Sequence, residues 1–329
     1  MPFRDIVGHR RLVDLLARSV KSGALPPSLI FAGPSGVGKR LAALSVAQAL
    51  NCTNPQITTD KVDACGACAA CTRIARGVHP DVLIVEPGDS GSIKIDQVRE
   101  IVDRAAYRPF EGRRRAVIID EADALVAAAQ NALLKTLEEP PSSSVFMLVT
   151  ARADTLLATV RSRCPRLQFR PLSPGDIASV LMKLDHSETE ARAVAATADG
   201  SVGRALEASA GELVEVRDIA QRVLAQAAAV TEPGRRLEGA KELGTQTREQ
   251  LALQLRAMAS LLRDVEVLAT RADDRALANA DLRSAIERLT PAYQGERGVR
   301  AFTAIDRALV ALERNAGVKV VADWLVLQL

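Results

Sequence analysis

Ser28-Leu29-Ile30-Phe31-Ala32-Gly33-Pro34-Ser35-Gly36-Val37-Gly38-Lys39-Arg40 runs an apolar strand into a glycine-rich turn and then into an apolar helix that continues through Leu50. In that context backbone N–H groups converge on phosphate oxygens, and the helix N-terminus adds partial positive charge. Gly33, Pro34, Ser35, Gly36, Val37 and Gly38 are therefore a candidate phosphate loop, with Lys39 placed to reach the β and γ phosphates of a nucleotide. A tight structural turn is the competing explanation.

The next position, where such loops use Ser or Thr to ligate Mg²⁺, carries Arg40. A guanidinium has five donors and no acceptor, and its charge opposes a dication. Binding of ATP or ADP remains open, whereas Mg²⁺ is disfavoured and metal-assisted hydrolysis is expected to be crippled. Alternatively Arg40 swings away and a water replaces the hydroxyl, which tempers activity without abolishing it.

Working outward, residues 9–22 place Leu12, Leu15, Leu16, Ser19 and Val20 on one helical face before Gly23 closes the segment. Downstream come the strand DVLIVE at 81–86, a helix from Lys94 to about Tyr107, the strand AVIID at 116–120, a helix at 126–139 and the strand VFMLVT ending at Thr150. Helices alternating with wholly apolar strands predict an α/β domain with a parallel sheet covered on both faces. Asp120 and Glu121 fall at the C-terminal tip of a strand, where such sheets present ligand groups. Asp120 would support a metal, Glu121 would polarise a water, and Thr150 joins the candidate nucleotide set; an aspartate capping the following helix is the alternative.

At 329 residues the chain predicts two or three domains. Beyond Pro171 strand signals largely vanish, and two turn-like segments, RPLSPGD and TEPGRR, interrupt an alanine-rich helical sequence. The expected division is an α/β domain over 1–170, a small helical lid domain over 171–212 and an all-α C-terminal collar domain over 213–329. In the last part Leu251, Leu255, Met258, Leu262 and Val265 form an apolar seam, either a bundle core or a face packed on another subunit.

Aromatic residues are only 3% of the chain, which argues against single-strand binding by base stacking. The balance of 43 basic against 40 acidic residues limits any nucleic-acid contact to a local patch. The run Arg104, Arg108, Arg113, Arg114 and Arg115 is such a patch or, equally, a solvated loop before a strand. No stretch approaches the roughly 20 apolar residues of a membrane helix, so no membrane role and a cytoplasmic location are expected.

Cys52, Cys65, Cys68 and Cys71 read C-x12-C-x2-C-x2-C. Such closely spaced thiols do not readily pair as disulfides, so a structural four-thiolate Zn²⁺ site stapling an insertion at about 52–71 is preferred to an iron–sulfur cluster or reduced core cysteines. Cys164 lies far off and is expected to be a buried small apolar residue. Arg163, in Ser162-Arg163-Cys164, lies near a domain edge and by itself looks like solvated surface. Arg204 opens a helix after Gly200-Ser201-Val202-Gly203, and would sense a terminal phosphate if the lid folds back over the loop.

With these residues in view the chain resembles the bacterial clamp-loader AAA+ family of DNA polymerase III, its delta-prime branch most closely, over essentially its whole length. The resemblance rests on Asn131-Ala132-Leu133-Leu134-Lys135-Thr136-Leu137-Glu138-Glu139-Pro140-Pro141, on Ser162-Arg163-Cys164 and on the inserted cysteine knuckle. It implies a hetero-pentamer with gamma/tau-type ATPase and delta-type subunits that loads a sliding clamp onto primed DNA, as part of a DNA-directed DNA polymerase holoenzyme. Arg163 becomes an arginine finger offered to a neighbouring ATP site, and Val7 and Gly8, with His9, become the adenine pocket; His9 as a simple helix cap is the alternative. Arg40 departs from the family's motor subunits, and the well-kept loop and acidic strand depart from many delta-prime chains. The competing functions are an active AAA+ ATPase motor and, more weakly, a zinc-dependent DNA-binding protein.

Overall fold

Five parallel strands, all but the short edge strand apolar along most of their length, set the frame of the computed structural model: β1 (Ser28–Ala32), β4 (Val82–Val85), β5 (Arg115–Ile119), β6 (Ser144–Thr150) and the edge strand β7 (Arg166–Gln168), in the order β4-β5-β6-β1-β7. The structure describes residues 1–329 except 208–209, 230–231, 233, 235, 237–240, 242, 244–246, 271–276 and 314–315. Every residue of β1, β5 and β6 is buried, so side chains of alternating direction sink into two separate cores. Leu29 and Phe31 join Ala116, Ile118 and Met147 beneath helices α1 (Arg10–Ser22) and α2 (Lys39–Asn51). Ile30 and Ala32 join Val117, Ile119, Phe146 and Leu148 beneath α4 (Ile95–Ala106), α5 (Ala127–Glu138) and α6 (Ala158–Arg161). Between α2 and β4 lie a two-stranded antiparallel hairpin, β2 (Gln56–Ile57) with β3 (Val62–Asp63), and the short helix α3 (Ala69–Ala75).

The expected face of α1 is corrected at one position. Leu16 is buried and Leu12, Val13 and Val20 pack against the core, but Leu15 is half exposed. A three-residue step from 12 to 15 falls short of a full turn and carries Leu15 off the stripe that Leu16 centres, and Val13 takes the place assigned to Leu15. Gly23 ends the helix in a left-handed conformation, its N–H donating to the carbonyls of Ser19 and Val20.

The chain divides into two compact units, Met1–Leu172 and Ser173–Leu329. The second is helical: α7 (Pro174–Met182), α8 (Glu188–Thr197), α9 (Val202–Glu207), α10 (Ala210–Ala229), α11 (Arg248–Ala269), α12 (Arg283–Tyr293), α13 (Glu296–Glu313) and α14 (Val318–Gln328). Leu251, Leu255, Met258, Leu262 and Val265 of α11 are all buried in this unit's own core, beside Val223, Ile286, Ile305 and Leu325. The seam is a bundle core. Of the second turn-like segment, 231–236, Thr231, Pro233 and Arg235 lie outside the described residues. Among the described residues no helix is long and apolar enough to cross a membrane.

Candidate functional site

Gly33 leaves β1 so close to the edge strand that a Cβ there would lie 2.3 Å from the Phe169 carbonyl oxygen, a distance only glycine avoids. Its N–H donates to Thr150 O at 3.2 Å, tying the loop to the tip of β6. Gly38, at φ +96°, turns the chain into α2, with Lys39 as the first helical residue. The strand–loop–helix geometry read from the sequence is thus present.

Lys39 is buried, and its Nζ donates to Gly33 O at 2.7 Å and Pro34 O at 2.6 Å. Burial lowers its pKa, with the charges of Asp120 and Asp123 acting in the opposite direction. The ammonium braces the loop from inside, where phosphate oxygens could take over from the two carbonyls.

Arg40 lies at the carboxyl ends of the strands. Its Nη1 donates to Asp120 Oδ2 at 3.0 Å and pairs with Glu86, the residue directly after β4. One guanidinium thus bridges the tips of two adjacent strands. Mg²⁺ does not fit this arrangement: the hydroxyl ligand is absent, and the candidate carboxylates already hold a fixed cation. The donor set that remains supports no metal-dependent step.

The two acids at the tip of β5 are placed differently. The Asp120 side chain is 14% exposed, whereas Glu121 is exposed, with a left-handed backbone at φ 48°. The chain turns sharply out of β5 into a 3₁₀ segment, which throws Glu121 outward. Sequence reasoning gave no role to Glu86 or Asp123. Asp123 accepts from Thr150 Oγ1 at 2.9 Å and Arg152 Nε at 3.1 Å; burial would raise its pKa, but these hydrogen bonds outweigh it and hold the carboxyl below its usual range. The signal for Glu86 was its place at a strand's C-terminal tip, the same signal that marked Asp120.

Val7 and Gly8 lead into α1 half-buried, with Gly8 at φ 72°. His9 does not cap that helix through its side chain. Its Nε2 instead lies 3.0 Å from Val37 O, and its ring meets Phe169 edge-on at 4.9 Å, so the N-terminal segment rests on the loop. Arg204 lies in the second unit, where it donates to Asp199 at 3.0 Å.

Arg163 follows α6 between the buried Val160 and Cys164. Burial pushes the Cys164 thiol up to about 11, in keeping with its expected apolar role. The Arg163 Nε donates to Glu138 Oε1 at 2.8 Å, its Nη2 pairs with the same oxygen, and its Nη1 donates to Thr159 O at 2.7 Å. Glu138 ends α5, which returns from the phosphate-loop end of the sheet toward the start of β6. Arg163 therefore sits toward the opposite end of the sheet from Lys39.

The sulfur atoms of Cys52, Cys65, Cys68 and Cys71 all lie within 4.8 Å of one another, Cys52 and Cys68 at 3.9 Å. Four sulfurs around one zinc at about 2.3 Å would stand about 3.8 Å apart, so the set fits a tetrahedral ion. The N–H groups of Cys65 and Cys68 donate to Cys52 Sγ and Cys65 Sγ at 3.2 Å each. Burial raises the Cys52 and Cys71 thiols; at Cys68 burial is outweighed by hydrogen bonds from Thr53 and Cys71, which bring it down to about 5. The module also grips the N-terminus: Asp63 accepts from the N–H of Phe3 at 2.7 Å, and Arg4 Nη1 donates to Ala64 O at 2.7 Å.

The basic run needs correction at Arg115, whereas Arg104, Arg108 and Arg113 are exposed as an open patch or a solvated loop would have them. Arg115 is buried against Asp81 at 3.0 Å, Arg113 Nη2 donates to Cys52 O and Arg114 Nη2 to Ser142 O. These side chains knit the base of β5, because a strand that starts with a buried arginine must satisfy its charge internally.

A family model described as DNA polymerase III, delta subunit, matches residues 8–173. The chain is 36% identical over 185 residues to DNA polymerase III subunit delta' of Bacillus subtilis (strain 168), covering 56% of this chain and 54% of that protein. It is 32% identical over 186 residues to DNA polymerase III subunit gamma/tau of Mycobacterium tuberculosis (strain ATCC 25618 / H37Rv), covering 56% of this chain and 32% of that protein. The chain thus spans about half the length of the first of these relatives and about a third of the second. A solved DNA polymerase III gamma subunit-related protein from Thermotoga maritima aligns with 98% of this chain and 97% of its own, at 19% identity and a TM-score of 0.41.

Proposed function

Because the chain belongs to the DNA polymerase III delta-subunit family of clamp-loader AAA+ proteins, we propose that it serves as a delta-prime-type subunit that helps load the sliding clamp onto primed DNA. The single observation that carries this reading is the guanidinium of Arg40 held between Asp120 and Glu86. A fixed cation stands where a motor subunit needs an exchangeable one, so the chain's own hydrolysis is weak or absent. Its contribution to chemistry is then made in trans, Arg163 offering a planar, always-charged fork to the γ-phosphate at a neighbouring gamma/tau-type site.

In this reading Val7, Gly8, Gly33–Lys39 and Thr150 hold ATP or ADP without magnesium, and Arg204 contributes from the lid. Cys52, Cys65, Cys68 and Cys71 would hold Zn²⁺, whose chemistry is a structural cross-link with no open coordination position. Residues 171–212 act as the lid, and 213–329 as the collar that joins delta-type and gamma/tau-type subunits in the hetero-pentamer.

Reconstitution tests the reading. Adding the chain to its gamma/tau-type and delta-type partners should raise DNA- and clamp-dependent ATP hydrolysis, and Arg163→Ala should remove the rise while assembly survives. Unchanged stimulation by that variant would eliminate the assigned role. The motor reading is favoured by the well-formed loop around Lys39. It would prevail if the purified chain alone cleaved MgATP at a motor's rate.

A further inference from the structure

We infer that Glu138 is a positioning residue for Arg163, selecting which N–H groups of the guanidinium face outward; this rests on the proposed trans role of that arginine. Glu138 is the last residue of α5. Helix C-termini carry partial negative charge and disfavour acids, so the helix itself gives no reason for a glutamate there. The cation beside it does.

The grip is specific. Two nitrogens of Arg163, Nε and Nη2, converge on one carboxylate oxygen, Oε1, while Nη1 donates to the Thr159 carbonyl at 2.7 Å and more weakly to Ser162 Oγ at 3.4 Å. A guanidinium has five N–H groups. The second N–H of Nη2, and the one on Nη1 that only Ser162 shares, remain for a phosphate oxygen. Beneath them the backbone is pinned by Val160 and Cys164, both buried.

Stability does not account for the pair, because both side chains are partly exposed, 30% for Arg163 and 48% for Glu138, and such pairs contribute little. Neighbouring Arg161 and Arg166 are held differently: they share Asp154, itself 83% exposed, at 3.3 and 3.8 Å. Of these three arginines Arg163 is the one with two nitrogens on a single carboxylate oxygen. An arginine that stabilises charge in a transition state must stand in place beforehand, since a long flexible side chain otherwise spends most of its time elsewhere.

The experiment uses the reconstituted complex, with steady-state ATP hydrolysis in the presence of clamp and primed DNA. Glu138→Ala should lower the stimulated kcat by roughly ten-fold and leave KM for ATP unchanged, the signature of an interaction made in the transition state. Combined with Arg163→Ala it should add nothing, because the two residues act as one unit. Assembly, followed by gel filtration, should be unaffected. A kcat unchanged or raised by Glu138→Ala, or a loss that persists in full in the Arg163→Ala background, overturns the inference while leaving the finger in place. Stimulation that survives Arg163→Ala removes the finger and the positioning role together.

Discussion

Replacing Arg40 with threonine takes the guanidinium from between Asp120 and Glu86 and returns a hydroxyl to the first turn of α2. The cost to folding is small, because the Arg40 side chain is 47% exposed and exposed pairs contribute about 0–1 kcal/mol. The effect on a dication is much larger. A metal bound by Asp120 would stand about 4 Å from the positive charge, and a single against a double charge at that distance repel by roughly 2 kcal/mol in bulk-water dielectric and roughly 8 kcal/mol at an effective dielectric near 20. Even the screened figure corresponds to about a 30-fold change in Mg²⁺ affinity. The assay titrates Mg²⁺ against binding of a fluorescent ATP analogue, with phosphate release followed in parallel. Wild-type protein should bind nucleotide without dependence on Mg²⁺, and Arg40→Thr should acquire that dependence together with slow turnover. Arg40→Ala, which removes the charge but restores no ligand, should gain metal affinity with less turnover. Equal Mg²⁺ dependence in wild type and Arg40→Thr would refute the reasoning.

Asp81 accepts backbone N–H groups of Phe110, Glu111 and Gly112 as well as Arg115, and although burial would raise its pKa these bonds bring it down to about 2, against an ordinary value of 3.8. A depressed folded-state pKa contributes stability above the unfolded value that is lost as pH falls: on the order of 2 kcal/mol should be present above about pH 4 and gone near pH 2, measured as a shrinking gap between wild type and Asp81→Asn in urea midpoints. Zinc analysis should find a single structural ion released by strong chelators, with a lower melting temperature on removal, and Cys52→Ser should weaken its retention. Leu255→Ala, at a fully buried seam position, should destabilise the isolated chain by about 2–5 kcal/mol in thermal melts; a loss seen only in assembly would mean the seam belongs to an interface.

Much of the first unit was legible because its signals are local. Strands buried on both faces must be continuously apolar, and SLIFA at 28–32 and VFMLVT at 145–150 match observed strands to within one residue. The loop was legible for the same reason: Gly33 and Gly38 are demanded by backbone geometry that the chain sets within a few residues. The cysteine module was legible by spacing alone, including Cys52, whose long gap is closed by the β2–β3 hairpin. What failed had no local signature. The exposure of Leu15 depends on which side of α1 meets the sheet, and the outward turn of Glu121 depends on a left-handed backbone that the residue type does not announce.

Residue order alone dictated the succession of elements, the phosphate loop, the missing hydroxyl at Arg40 and the four-thiol cluster, since each follows from residue types within one helical turn or one strand end, or from spacing. Where the charges went was settled by folding in three dimensions. It set Arg40 against Glu86, 46 residues away, and Asp120, 80 residues away; it bound Arg163 to Glu138, 25 residues away; and it buried Arg115 on Asp81, 34 residues away, within what reads as an open basic patch. Charged side chains choose partners through space, and which strand tips become neighbours is fixed by how the sheet is wound, a property that no stretch of sequence carries alone.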